Sequence, residues 1–166
     1  IQNALEAAEL TEKDIDFIIC ATQTPEHMFP GTGCYIQDRM GIPGVPALDV
    51  RDQCTGFLYG MSIADAYIRL GEYKKIVLVG TEIHSTGLEW NDNGRHVSVL
   101  FGDGAGAVIL GESESEERGI IDMRLHADGR YADDLTVPAP GTAYTTWISH
   151  EQLEKGMQYP KMNGKM

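Results

Sequence analysis

The sequence predicts an α/β fold, a sheet of buried and mostly parallel strands covered by helices. Short, continuous apolar runs point to it first: Asp16-Phe-Ile-Ile-Cys-Ala21, Pro46-Ala-Leu-Asp-Val50 and Lys75-Ile-Val-Leu-Val79 read as strands buried on both faces. Segments with helical spacing separate these runs, giving the order α-β-α-β-α-β, which a parallel sheet with helical crossovers produces. The length of 166 residues is that of one domain with a sizeable core.

Each element has a local reason. Residues 1–10 place Ile1, Leu5 and Ala8 on one helical face, in a stretch rich in Ala and Leu. Thr11-Glu-Lys-Asp14 turns the chain into the first strand. Pro30-Gly31-Thr32 opens a helix of about ten residues that Gly41 closes as a left-handed cap. Residues 57–70 form a helix whose strongly polar positions are Ser62, Asp65 and Arg69, one thin stripe, so this helix is expected to be mostly buried. Gly71 ends it. Ser98-Val-Leu-Phe101, a Gly-rich turn and Ala105-Gly-Ala-Val-Ile-Leu110 then read as strand-turn-strand. The acidic run 112–117 reads as a solvated loop, and residues 120–126 alternate as a further strand. Beyond Thr136, Pro138, Pro140 and Gly141 signal a loop.

Both ends read as cut. The chain opens on Ile1 already inside a helical pattern and closes on Lys161-Met-Asn-Gly-Lys-Met166 with no helix cap or strand end. The expectation is a single domain over residues 1–166, truncated at both ends.

Composition narrows the function. Twenty-five acidic against 13 basic side chains, a net charge of −12, repel a phosphate backbone and disfavour nucleic acid. No apolar run approaches the ~18 residues of a membrane span, and no basic-then-apolar leader opens the sequence. Cys20, Cys34 and Cys54 are too widely spaced for a disulfide framework or a zinc site, and the five histidines lie in no metal-ligand spacing. Free thiols in a reducing, cytoplasmic setting, with no metal, are expected.

Cys54 is the candidate nucleophile. It stands in Asp49-Val-Arg-Asp-Gln-Cys54-Thr-Gly56-Phe, between the end of a strand and the start of a helix. A helix N-terminus favours thiolate, the form that attacks a carbonyl, and Gly56 allows close approach of a substrate. A small core residue is the plainer fate of a free cysteine, and it suffices for Cys20 and Cys34. Gly102-Asp-Gly104-Ala-Gly106 is not a dinucleotide fingerprint, because the spacing differs and an apolar strand follows. Close backbone packing between strands is the expectation there.

Taken together, Phe29-Pro30, Asp49-Val50 leading to Cys54-Thr-Gly-Phe57, Phe101-Gly-Asp-Gly-Ala-Gly-Ala107 and Leu125-His-Ala-Asp-Gly129 resemble β-ketoacyl-acyl-carrier-protein synthase III, of the thiolase superfamily. The resemblance covers nearly all of this chain and the first half of such an enzyme. It implies the N-terminal half of a thiolase-like layered α/β fold, a mixed sheet covered by helices. It also implies an acyltransferase that initiates fatty-acid synthesis by condensing an acyl-CoA with malonyl-acyl-carrier protein through a Cys54 acyl-enzyme. Acyl-CoA would be a substrate, with no further cofactor; acyl-carrier protein and a second copy of the chain, in a homodimer, would be the partners.

Carried over by position, Cys54 matches the acyl-accepting nucleophile, and its N–H half of the oxyanion hole. Phe29 matches an aromatic that reaches across the dimer interface to the partner's acyl pocket. Phe101 matches a residue lining the pocket near the cysteine, and Arg95 an arginine at the tunnel mouth that holds coenzyme A. Asp52-Gln53 depart from the common Ala-Ala before the cysteine, a difference that concerns substrate preference more than nucleophilicity. The family's His and Asn for the second half-reaction match no residue here. Two alternatives follow: a non-catalytic half-domain that exposes an apolar face and self-associates, and a cysteine-dependent thioester hydrolase. The hydrolase elbow prefers Gly where Asp52 stands.

Overall fold

The computed structural model describes residues 1–113, 115 and 118–164; three glutamates of the acidic run, Glu114, Glu116 and Glu117, lie outside the described residues. The chain divides into two compact units, one formed by Ile1–Glu82 and Gly104–Leu125, the other by Ile83–Asp103 and His126–Met166.

The first unit is built on a four-stranded sheet in the order β2-β1-β3-β4, with β1 Phe17–Ala21, β2 Ala47–Val50, β3 Lys75–Glu82 and β4 Gly104–Gly111. β1 pairs in parallel with β2 on one side and β3 on the other, and β4 runs antiparallel to β3. The period-2 alternation of each strand sends its side chains to two different cores. Ile18, Val77 and Val79 pack with Leu5, Ile15 and Ile42 on one face, joined by Ile36 and Met40 from helix α2, Thr32–Met40. Phe17, Ile19, Ile76 and Leu78 pack on the other face against Ala64, Phe57 and Met61 of helix α3, Gly56–Arg69. The result is helix on sheet on helix, with α1, Gln2–Ala7, beside α2's layer. All five residues of β1 are buried, as expected of a central strand flanked on both edges.

The predicted caps are present. Gly41 closes α2 at φ +67, and Gly71 follows α3 at φ +74, both in the left-handed region that a Cβ disfavours.

Several expectations are corrected. α3 is buried only along Gly56, Gly60 and Ala64; Leu58 is 49% exposed and Leu70 is 73% exposed. A helix on a single sheet shields one face, so the breadth of its apolar surface did not translate into burial. Residues 98–101 are not a strand: helix α4, Arg95–Ser98, occupies the start of that stretch. The Asn91 side chain accepts the N–H groups of Asn93 and Gly94, and the Gly94 carbonyl then accepts from Val97 and Ser98, so local turn chemistry overrides a short apolar run. β4 pairs with β3 rather than with a hairpin neighbour. Close backbone packing does not explain Gly102, Gly104 and Gly106, since a Cβ added at any of them meets nothing within 4 Å. Residues 120–126 make no strand.

The second unit carries α4, the two-residue strands β5, Leu135–Thr136, and β6, Lys161–Met162, and helix α5, His150–Glu154. β5 and β6 pair antiparallel, so Lys161–Met162 form a strand where the sequence shows no strand end. Ser149 and Gln152 form a reciprocal capping box at the start of α5. A Lys161–Glu89 ion pair at 3.1 Å ties β6 to the 83–94 segment. Among the described residues no helix is long and apolar enough to cross a membrane.

Candidate active site

β1, β2 and β3 are parallel, so their carboxyl ends fall on one side of the sheet. The chain passes from β1 to β2 on one edge and then, through α3, to β3 on the opposite edge of β1. Such reversals leave a crevice at the strands' carboxyl ends, where open α/β sheets place their chemistry. The segments leaving those ends carry Phe29 after β1 and Cys54 after β2.

Cys54 is exposed and occupies the middle of a 3₁₀ turn, Gln53–Thr55, that runs directly into α3. Gln53 holds φ at +41, uncommon for a residue with a Cβ. Asp52 fixes the turn from its start: its carbonyl accepts the Thr55 N–H at 3.1 Å and its carboxylate accepts the Thr55 hydroxyl at 2.8 Å. Gly56 brings the first turn of α3 onto the strand ends, since a Cβ there would stand 3.3 Å from the Ala21 methyl. Gly60 continues the close approach, with an added Cβ only 2.5 Å from a Leu78 methyl. The nucleophile turn is therefore pressed onto the sheet by glycines one helical turn apart.

The 22–33 segment is pinned at both ends by carboxylates. Glu82, the last residue of β3, accepts the Gln23 N–H at 2.9 Å and the Thr24 hydroxyl at 2.6 Å. Asp49, from β2, accepts the Thr32 N–H at 2.6 Å and the Gly33 N–H at 2.8 Å, capping the N-terminus of α2. A Cβ at Gly31 would lie 2.6 Å from the Asp49 carboxylate carbon, so the seat for this side chain exists because glycine stands there. Glu26 accepts the Thr32 hydroxyl, and this bond holds its carboxyl below the usual range. Between these anchors Phe29 stands 85% exposed. Asp49→Ala is expected to lower stability by about 1–2 kcal/mol, read as a urea midpoint shift, because it uncaps α2. An unchanged midpoint would show the cap to be dispensable.

Cys20 lies in β1 beneath these carboxylates. Burial, reinforced by the charges of Asp49, Glu26 and Glu82, pushes its thiol up to about 12. It is a core residue, as its sequence setting suggested. Cys34 is exposed in the first turn of α2.

Arg95 and Phe101 belong to the second unit. Arg95 opens α4, with its side chain 75% exposed and its guanidinium donating to the Asp92 carboxylate. Phe101 is half-buried, and its ring meets that of His84 at 4.7 Å between centroids. Asp103 holds the His84–Ser85 segment against this ring: its carboxylate accepts the Ser85 N–H at 2.8 Å and the Ser85 hydroxyl at 2.6 Å. Those bonds keep the Asp103 carboxyl below the usual range.

Sequence reasoning did not assign roles to the side chains of Asp49, Glu82, His84 and Asp103. Asp49 and Glu82 did leave a signal, each a carboxylate at or near the carboxyl end of an otherwise apolar strand. Among the described residues no group of three His, Cys, Asp or Glu side chains is placed to hold a metal ion.

Residues 48–129, which include Cys54 and the Gly-Asp-Gly-Ala-Gly run, match the sequence profile of 3-oxoacyl-(acyl-carrier-protein) synthase III. The β-ketoacyl-(acyl-carrier-protein) synthase III of Methylococcus capsulatus is 43% identical over 141 residues, 85% of this chain and 43% of that protein. The protein of the same name from a Sulfurovum strain is 39% identical over 162 residues, 97% of this chain and 46% of that protein. The crystal structure of 3-oxoacyl-(acyl-carrier-protein) synthase III from Aquifex aeolicus superposes with a TM-score of 0.82 at 35% identity, covering 99% of this chain and 47% of that one. The chain thus spans about half the length of the relatives it matches, and it shares their thiolase-like layered α/β fold. Sequence and fold agree: the chain belongs to the 3-oxoacyl-(acyl-carrier-protein) synthase III family.

Proposed function

We propose that this chain is the N-terminal, acyl-accepting half of a β-ketoacyl-acyl-carrier-protein synthase III that starts fatty-acid chains in the cytoplasm. The observation that carries the reading is the exposed Cys54 on a strained turn at the carboxyl end of β2, entering α3. The relatives' names, which include an acyl-carrier protein, support the carrier as partner.

The first half-reaction would run at this turn. The Cys54 thiolate attacks the thioester carbonyl of an acyl-CoA; a new C–S bond forms to Sγ, the old one breaks, and coenzyme A leaves as its thiolate. The Cys54 N–H donates to the carbonyl oxygen as negative charge develops on it. In the second half-reaction malonyl-acyl-carrier protein loses carbon dioxide, its carbanion attacks the acyl carbon, and the Cys54 thiolate is released. Acyl-CoA serves as substrate, and no cofactor is required by these steps. Phe101 walls the acyl group, Arg95 takes coenzyme A by exchanging its Asp92 partner for phosphate, and Phe29 projects into a second copy of the chain in a homodimer. The exposure of Phe29 supports that last role.

The test is incubation of the chain with acetyl-CoA followed by mass analysis of the Cys54 peptide. One added acetyl group on that peptide is expected. An unmodified Cys54 sinks the reading.

A further inference from the structure

The carboxylate of Asp52 stands two residues before Cys54 and is held there by the nucleophile's own turn. It accepts the Thr55 hydroxyl at 2.8 Å, while the Asp52 carbonyl accepts the Thr55 N–H at 3.1 Å, so side chain and backbone both close around the peptide that carries Cys54. Asp52 is half-buried, whereas Cys54 is exposed. Among the described residues no Lys, Arg or His forms an ion pair with Asp52, the adjacent Arg51 included. The turn therefore sets an uncompensated negative charge beside the thiol. A neutral acyl chain on Cys54 loses nothing to that charge. An acyl chain ending in its own carboxylate brings a like charge within several ångströms of it, where a half-buried setting weakens the screening.

We propose that Asp52 is a specificity-determining residue of this site, admitting neutral acyl groups to Cys54 and selecting against acyl groups that end in a carboxylate. The inference rests on the reading that Cys54 accepts the acyl group. Every residue it uses lies in the Gln53–Thr55 turn or directly before it, within one compact unit. Such a filter keeps the two thioesters of the proposed reaction apart. The anionic malonyl group, which is to supply the carbanion, is hindered from loading onto Cys54 in place of a neutral starter.

The experiment compares initial rates of Cys54 acylation by butyryl-CoA and succinyl-CoA, four-carbon acyl groups that differ in the terminal carboxylate, followed by intact mass. Coenzyme A is common to both, so its own charges cancel in the ratio. The parent chain favours butyryl-CoA. Asp52→Asn keeps an oxygen that accepts the Thr55 hydroxyl but removes the charge, and it raises the succinyl-to-butyryl ratio on the order of fivefold, the scale of two like charges several ångströms apart in a partly solvated site. Thr55→Val breaks the same hydrogen bond but keeps the charge, and it leaves the ratio within about twofold of the parent's, because the charge is the source of the discrimination. Circular dichroism checks each variant; Asp52→Ser and Thr55→Ala form the equivalent pair if either fails to fold. An unchanged ratio in the asparagine variant, or an equal rise in both variants, overturns the proposal, the second because the shape of the turn and not its charge would then discriminate. If neither thioester acylates the parent at Cys54, the acyl-transfer reading fails first. Acylation with an unmoved ratio removes only the role of Asp52.

Discussion

Cys54→Ala is expected to take up no acetyl mass from acetyl-CoA, while Cys34→Ala takes up one group as the parent does. The three cysteines form a natural comparison, because each occupies a different setting in one sheet-and-helix unit. Cys20 is fully buried, and with its thiol pushed up to about 12 it stays protonated at pH 8 and out of reach of a thioester. Cys34 is exposed, yet it sits at a helix N-terminus whose first N–H groups are already taken by the Asp49 carboxylate. Those N–H groups are therefore closed to the oxygen of a thioester. Cys54 combines exposure with a turn that leads into the 14-residue helix α3. Peptide mapping decides the matter: label on the Cys34 peptide, or acetyl mass retained in Cys54→Ala, overturns the assignment. Alkylation at pH 8 in the folded state should likewise spare Cys20, and labelling of Cys20 would contradict its burial.

Leu78→Ala is expected to cost about 2–5 kcal/mol, a large fraction of the total stability of a domain this size. Leu78 is completely buried in β3, in register with Ile19 of β1 and Val108 of β4. Its methyl fills the notch that Gly60 leaves in α3. Truncation therefore opens a cavity directly beneath the helix that carries the nucleophile turn, and neighbouring strands are held by backbone pairing and cannot close it. Leu58→Ala on the outward side of the same helix is the control. That residue is 49% exposed, so its loss is expected to cost under about 1 kcal/mol. Urea unfolding of both variants measures the difference, and equal midpoints would mean that the inward face of α3 is not the one that stabilises the unit.

The contrast between Leu78 and Leu58 also marks how far the sequence could be read. The strands were legible because Ile18-Ile19-Cys20 and Ile76-Val77-Leu78-Val79 are apolar on both faces, which only a doubly covered strand tolerates. The ends of α2 and α3 were legible because Gly41 and Gly71 supply the left-handed cap. The setting of Cys54, between a strand and a helix, followed from the same local signals. These are short-range matters of periodicity and φ, and the amino-acid order alone determines them.

Other features depended on which surface meets which. Leu58 and Gly60 are two residues apart on one helix, and nothing in their order says which faces the sheet; packing against Leu78 and Ile19 decides it. Residues 98–101 have the composition of a strand, but the turn that Asn91 fixes leads into α4 and sets their conformation instead. The carboxylate of Asp49 caps a helix that begins 17 residues earlier in the chain, and Asp103 reaches back 18 residues to Ser85. Such bonds form only where parallel pairing and chain reversal bring distant backbone together. Local sequence thus determined the elements and the candidate nucleophile, whereas the tertiary structure alone chose the buried faces and the side chains that hold the site's loops, since those are set by contacts between residues far apart in the chain.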